Sequence, residues 1–144
     1  MPDIDMVLYW DASAVLSLVF EDAHSAMAVA AMRADRMHLV SSLTWAETQA
    51  VIDRMRRTKA VPEAWIAVAH DKLSRQPWRR VSAVPDWALS RELAARWPLR
   101  GADLWHLALA KTLQHDLKEL MMVTYNAALV EAALGEGLLD GGAA

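Results

Sequence analysis

Short apolar runs alternate along this chain with longer stretches whose apolar residues recur every three or four positions. Met6–Trp10 is the first such run and reads as a buried strand ending at Asp11. Ser13 is placed to cap the helix that follows, which carries an apolar stripe of Ala14, Val15, Leu18 and Val19. Ala26–Arg36 continues as a second helical stretch with Met27, Ala30, Ala31 and Ala34 on one face. His38–Ser42 reads as a second strand. Thr44 is then a helix cap, and the helix runs from Trp45 to Arg57.

Pro62 opens another helix, with Trp65, Ile66, Ala69 and Leu73 on one side, and Pro77 closes that segment. Trp78–Val84 fits either a short strand or an extended loop. Pro85 and Asp86 precede a helix over Trp87–Trp97, stopped by Pro98. Gly101 opens a long helix to Leu113, with Leu104, Leu107, Ala108 and Leu109 apolar. Leu120–Thr124 is the clearest late strand. A helix over Ala127–Ala133 follows, and the glycine-rich tail is expected to fray beyond a last short strand. Strands alternating with helices predict an α/β fold on a small parallel sheet. There is no internal repeat and no dividing linker, so residues 1–144 read as one domain.

Composition narrows the function classes. Of 144 residues, 55% are hydrophobic, enough to build a core. There is no cysteine, which excludes disulfides, thiolate metal sites and cysteine nucleophiles. The N-terminus carries acids where a secretory signal needs a basic flank, and the apolar stretches are broken by Asp, Glu or His. The expectation is a soluble, cytoplasmic protein without a membrane segment. Net charge is -3, but Arg54–Arg100 holds eleven basic side chains against four acids. Two readings of that stretch stand: a surface that attracts a polyanion, or a solvated helical face.

Three acids fall at chemically useful places. Asp11 lies just beyond the first strand. Glu47 lies in the first turn of the helix after the second, and Asp103 in the first turn of the helix opened by Gly101; Asn126 lies just beyond the late strand. In a parallel sheet, strand C-termini and the helix N-termini that follow share one edge, so all four positions can converge. Converging carboxylates repel unless a cation neutralises them, and an oxygen-only set suits Mg²⁺ or Mn²⁺. Such an ion polarises a phosphoryl oxygen and activates water, which makes phosphodiester hydrolysis the natural chemistry. Each acid also has a structural reading. Thr44 and Glu47 are spaced as a capping box, and an Asp near a helix start is commonly a cap or dipole partner.

Four blocks resemble the PIN-domain family, especially the VapC-like toxins of bacterial toxin–antitoxin pairs: YWDASAVLSL (Tyr9–Leu18), SSLTWAET (Ser41–Thr48), LRGADLWHLALA (Leu99–Ala110) and MVTYNAALVEAA (Met122–Ala133). The resemblance covers nearly the whole chain. It implies a three-layer α/β/α sandwich around the parallel sheet, with metal-binding acids at Asp11, Glu47 and Asp103. It further implies a Mg²⁺- or Mn²⁺-dependent endoribonuclease acting on RNA, a homodimer, and a small cognate antitoxin that holds it inactive. A catalytically silent PIN-like binding protein and a DNA or flap-type nuclease are the alternative functions.

One position departs from that family. The late block usually carries aspartate where this chain has Asn126, which keeps a carbonyl oxygen but loses the charge. One tightly held ion is therefore expected, with Asn126 hydrogen-bonding water at the site. Ser13 and Thr124 are candidates for ordering water or substrate; structurally they are a cap and a strand residue. His106, one helical turn from Asp103, is expected to be packed and hydrogen-bonded rather than a ligand. His24, His38, His70 and His115 lack metal-ligand spacing. Arg79 and Arg80 are candidate RNA contacts, with Trp78 as a candidate base-stacking residue. Most of the seven tryptophans are expected in the core or at a dimer contact.

Overall fold

The computed structural model describes residues 6–139. Four short strands, β1 (Val7–Trp10), β2 (Met37–Ser41), β3 (Trp78–Val81) and β4 (Leu120–Val123), form one parallel sheet in the order β3-β2-β1-β4. Seven helices connect them: α1 (Ala12–Val19), α2 (Ser25–Ala31), α3 (Ser42–Arg57), α4 (Glu63–Arg75), α5 (Trp87–Arg96), α6 (Gly101–Gln114) and α7 (Ala127–Gly135). The central strand β1 pairs Leu8 with His38 on one side and Met121 on the other. Both faces of such a strand are covered, which is why VLYW is apolar throughout rather than alternating.

Alternate strand residues feed two cores. Val7, Tyr9, Leu39, Leu120 and Met122 pack with Leu93 of α5, Leu107 of α6 and Leu129 of α7. Leu8, Trp10, Val40 and Val123 pack with Val15 of α1, Ala28 of α2, Ile52 of α3 and Leu73 of α4. The sheet is thus sandwiched between α5–α7 and α1–α4, a three-layer α/β/α arrangement.

Several local expectations are corrected. Asp11, not Ser13, caps α1: its carboxylate accepts from the backbone N–H of Ala14. Likewise Ser41 rather than Thr44 caps α3, because the chain passes from β2 into the helix with no loop. Helix α2 stops at Ala31, and its buried positions are Ser25 and Ala28 while Met27 is exposed. On α4, Ile66, Ala69 and Leu73 face inward but Trp65 is exposed. The ambiguous segment resolves as β3 over Trp78–Val81. Beyond α7 the described chain forms a turn, not a strand; the Leu138 carbonyl accepts from Met122 N–H and closes the outer side of β4. The tail from 140 lies outside the described residues. No helix among them is long and apolar enough to cross a membrane.

Candidate functional site

The C-terminal edge of the sheet gathers the chemistry. Asp11 follows β1, Ser41 ends β2, and Thr124 and Asn126 follow β4. The first turn of α6 brings Asp103 to this edge, whereas Glu47 lies in the second turn of α3, not the first, because that helix starts at Ser42 directly after β2. Hydrogen bonds join Asp11, Ser13, Thr124, Asn126 and Asp103 into one set and Glu47, His106, Tyr9 and Ser41 into another, each from positions far apart in sequence.

Asp11 is almost wholly enclosed, 3% exposed. Oδ1 accepts from Ser13 Oγ at 2.7 Å and from Ala14 N–H at 3.0 Å, while Oδ2 accepts from Thr124 Oγ1 at 2.6 Å. Its own N–H stays in the ladder, donating to the Val123 carbonyl. Burial pushes the carboxyl above its ordinary range, and the donors from Thr124, Ser13 and Ala14, with His106 nearby, pull against it. Ser13 also accepts from Tyr125 N–H and so ties α1 to the end of β4. Both hydroxyl candidates therefore touch the cluster.

His106 is the hub. It is buried on α6; Nε2 bonds Glu47 Oε1 at 2.5 Å and Nδ1 bonds the Tyr9 hydroxyl at 2.7 Å. The Tyr9 hydroxyl in turn bonds Ser41 Oγ at 2.8 Å. Burial pushes the Tyr9 phenol to about 12, so it stays protonated. The packed, hydrogen-bonded histidine anticipated from the sequence is found, and its partner Glu47 is not the N-terminal bracket of a capping box. No local pattern marks Tyr9 and Ser41 for this role: one reads from sequence as an apolar strand residue, the other as part of the second strand.

Asp103 is half-buried; Asn126 Nδ2 approaches its Oδ2 at 3.5 Å. Desolvation raises its carboxyl, His106 opposes this, Glu47 adds to it, and Arg100 opposes it. Asn126 Oδ1 accepts from Leu129 N–H and caps α7. It is thus both a helix cap and a neighbour of an acid.

All donors facing the cluster are oxygens of hard character except His106, which suits a small divalent cation. Among the described residues, buried Asp11 and half-buried Asp103 form no ion pair with lysine or arginine. A cation would supply that missing countercharge. Yet among the described residues no three His, Asp or Glu side chains stand together as a ready cage. Glu47 is turned onto His106, and both Asp11 oxygens are engaged by hydroxyl or amide donors. The chemistry of the donor set fits; its closure needs side-chain movement.

Beside the acids, Ser42, Leu43, Ala46, Gly101, Ala102 and Trp105 line an open apolar groove of about 600 Å³ between the starts of α3 and α6. A larger concavity of about 720 Å³ lies at the far end of α6, lined by residues such as Asp86, Lys111 and His115, and contains none of the acids. The tryptophans divide. Trp10 is buried, Trp65 and Trp87 are 56% and 88% exposed, and the rest are half-buried. Trp78 packs edge-on against Trp10 and donates to the Leu73 carbonyl, which makes it part of the core rather than a free stacking surface.

Among solved structures, the chain is similar to VapC20 of Mycobacterium tuberculosis, a Sarcin-Ricin loop cleaving toxin. The TM-score is 0.56 at 15% identity, covering 87% of this chain and 94% of that one. At that identity the likeness establishes the fold. No curated protein matches the sequence. The family model of the PIN domain matches residues 8–133, from Leu8 in β1 to Ala133 in α7. The chain therefore belongs to the PIN-domain family.

Proposed function

We propose that this protein is a Mg²⁺- or Mn²⁺-dependent endoribonuclease. The supporting observation is a pair of desolvated carboxylates, Asp11 and Asp103, with no lysine or arginine ion pair among the described residues, at the sheet edge of a PIN domain. Asp11 and Asp103 would hold the ion, joined by Glu47 once it leaves His106. The bound cation supplies charge neutralisation at the phosphate and an activated water. The chain's own residues do the positioning. Ser13 and Thr124 fix the Asp11 carboxylate by donating to opposite oxygens. Tyr9 and Ser41 hold the His106 ring, which orients Glu47. Asn126 presents its amide beside Asp103 and hydrogen-bonds water there.

The physiological reading is a toxin held by a small antitoxin, acting as a cytoplasmic homodimer. It rests on the sequence resemblance and on the fold shared with a toxin that cleaves the Sarcin-Ricin loop. The test is RNA cleavage with Mn²⁺, run beside Asp11→Asn and beside full chelation. Cleavage that survives either change defeats the reading.

A second reading has its own support. Asn126 caps α7, and no metal cage is preformed among the described residues. A PIN-like protein that binds RNA without cutting it would show oligonucleotide affinity and no metal-dependent cleavage in the same assay.

A further inference from the structure

Arg80 lies at the C-terminal end of edge strand β3, on the sheet edge that carries Asp11. Its guanidinium is stacked over the Trp45 ring, with Cζ 5.0 Å from the centroid. Trp45 is half-buried against the core that holds Trp10 and Val40, and it sits two residues before Glu47 on α3. Of the other arginines in the basic stretch, Arg56 and Arg57 are committed to Asp53, Arg75 to Asp71 and Arg96 to Glu136, while Arg54, Arg79, Arg91 and Arg100 form no ion pair among the described residues and stack on no aromatic ring there. Arg80 has no carboxylate partner among the described residues, yet its position is set by an aromatic ring. Arg79, its exposed neighbour, points to the opposite face of the strand, because successive strand side chains alternate.

A guanidinium stacked on an indole keeps its N–H edges free, and those edges match two oxygens of one phosphate. β3 is two strands from β1, so Arg80 stands roughly 10 Å across the sheet from the end of β1. That is the reach of a neighbouring nucleotide. The acids repel an approaching polyanion, and a fixed cation beside them gives the strand a foothold.

We propose that Arg80, held by Trp45, seats a backbone phosphate of single-stranded RNA next to the phosphodiester presented to the acidic cluster. This rests on the nuclease reading and specifies its substrate as an unpaired strand that runs from the acids towards β3. Arg80 is the contact; Trp45 is a positioning residue.

The test is fluorescence anisotropy of a labelled short oligouridylate on the full chain, with Ca²⁺ replacing Mn²⁺, across a salt series. Arg80→Ala should weaken binding about tenfold, the loss of one charge-assisted contact. It should also make the dependence of log affinity on log salt shallower by about 0.7, the value for one phosphate on a single strand. Arg80→Lys keeps the charge but not the stack or the fork, so it should retain the salt slope and lose several-fold affinity. Trp45→Leu should do the same, with a thermal melt checking that it folds. Arg79→Ala should cost less than Arg80→Ala. An unchanged salt slope in Arg80→Ala, as expected if this seat serves an acidic protein segment instead, would overturn the proposal. So would equal losses at Arg79 and Arg80. Failure of the parent reading looks different: Arg80-dependent binding without Mn²⁺-dependent cleavage removes the nuclease and leaves the seat. Asp11-dependent cleavage with an indifferent Arg80 removes the seat alone.

Discussion

Thr124→Val removes one hydroxyl and leaves a side chain of the same shape at a position 4% exposed. That hydroxyl donates to Asp11 Oδ2 at 2.6 Å and is one of three donors holding a buried carboxylate. A neutral hydrogen bond contributes about 1 kcal/mol net, and one to an ionised group about 1.5–3 kcal/mol. The expected loss at neutral pH is therefore about 2 kcal/mol, or roughly 7 °C in Tm for a chain of this size. The pH dependence is the sharper signature. Burial holds the Asp11 carboxyl above its ordinary 3.8, so the folded chain keeps that proton more tightly than the unfolded chain. Stability then falls as pH rises through the window above 3.8. Removing a donor raises the carboxyl further. The gap between variant and wild type should be small in acid, where Asp11 is protonated in both, and should widen towards neutrality. In an Asp11→Asn background the same substitution should cost only about 1 kcal/mol and lose its pH dependence. Urea denaturation of all four proteins in chelator, at acid and neutral pH, measures this. An equal cost in both backgrounds would show that Thr124 is plain strand packing and does not hold the carboxylate.

Other outcomes follow from the same geometry. Asp11→Asn should be at least as stable as wild type at neutral pH, because it removes a desolvated charge, and that advantage should vanish in acid; urea melts beside the cleavage assay separate folding from function. His38 Nδ1 accepts from Trp10 Nε1–H and Nε2 donates to the Arg33 carbonyl, which requires the neutral ring, and burial lowers its pKa below the ordinary 6.5. Its contribution is fully present above 6.5 and lost as pH falls through that value, so His38→Gln should flatten the stability profile just below it. Asn126→Asp should strengthen binding of a second Mn²⁺ in calorimetry, whereas Asn126→Ala should cost less cleavage than loss of Asp11 or Asp103. Unchanged stoichiometry and affinity on adding the aspartate would show that Asn126 is only a cap.

Periodicity made the sheet and most helices legible. The apolar runs around Leu8, Leu39 and Met122 are strands because both faces of the sheet are covered, and the proline and glycine stops at Pro62, Pro98 and Gly101 mark real helix boundaries. Asp11 and Asp103 were readable because strand end and helix start fix their edge. What eluded the sequence needed packing. Ser41, Ser42 and Thr44 are interchangeable caps on paper, and only the absence of a loop after β2 selects Ser41. Glu47 finds a partner 59 residues away, which no local pattern encodes. Tyr9 reads as a core aromatic because its ring is one; its hydroxyl gains meaning only when α6 lays His106 against it. Trp65 has the spacing of a buried face but lies at the margin of α4, out in solvent.

The pairing of β1 with β4 gives the molecule a timetable. The Thr124 donor of Asp11 lies 113 positions later in the chain, and β4 is β1's neighbour on that side. A chain emerging from the ribosome can lay β1, β2 and β3 together early, since those contacts are nearer in sequence. The acidic cluster must wait for α6 to bring Asp103 and His106, and then for β4 to dock. A nascent or prematurely terminated chain that stops before residue 120 thus carries Asp11 without its clamp. Whatever this edge of the sheet does, it does only after β4 has been translated.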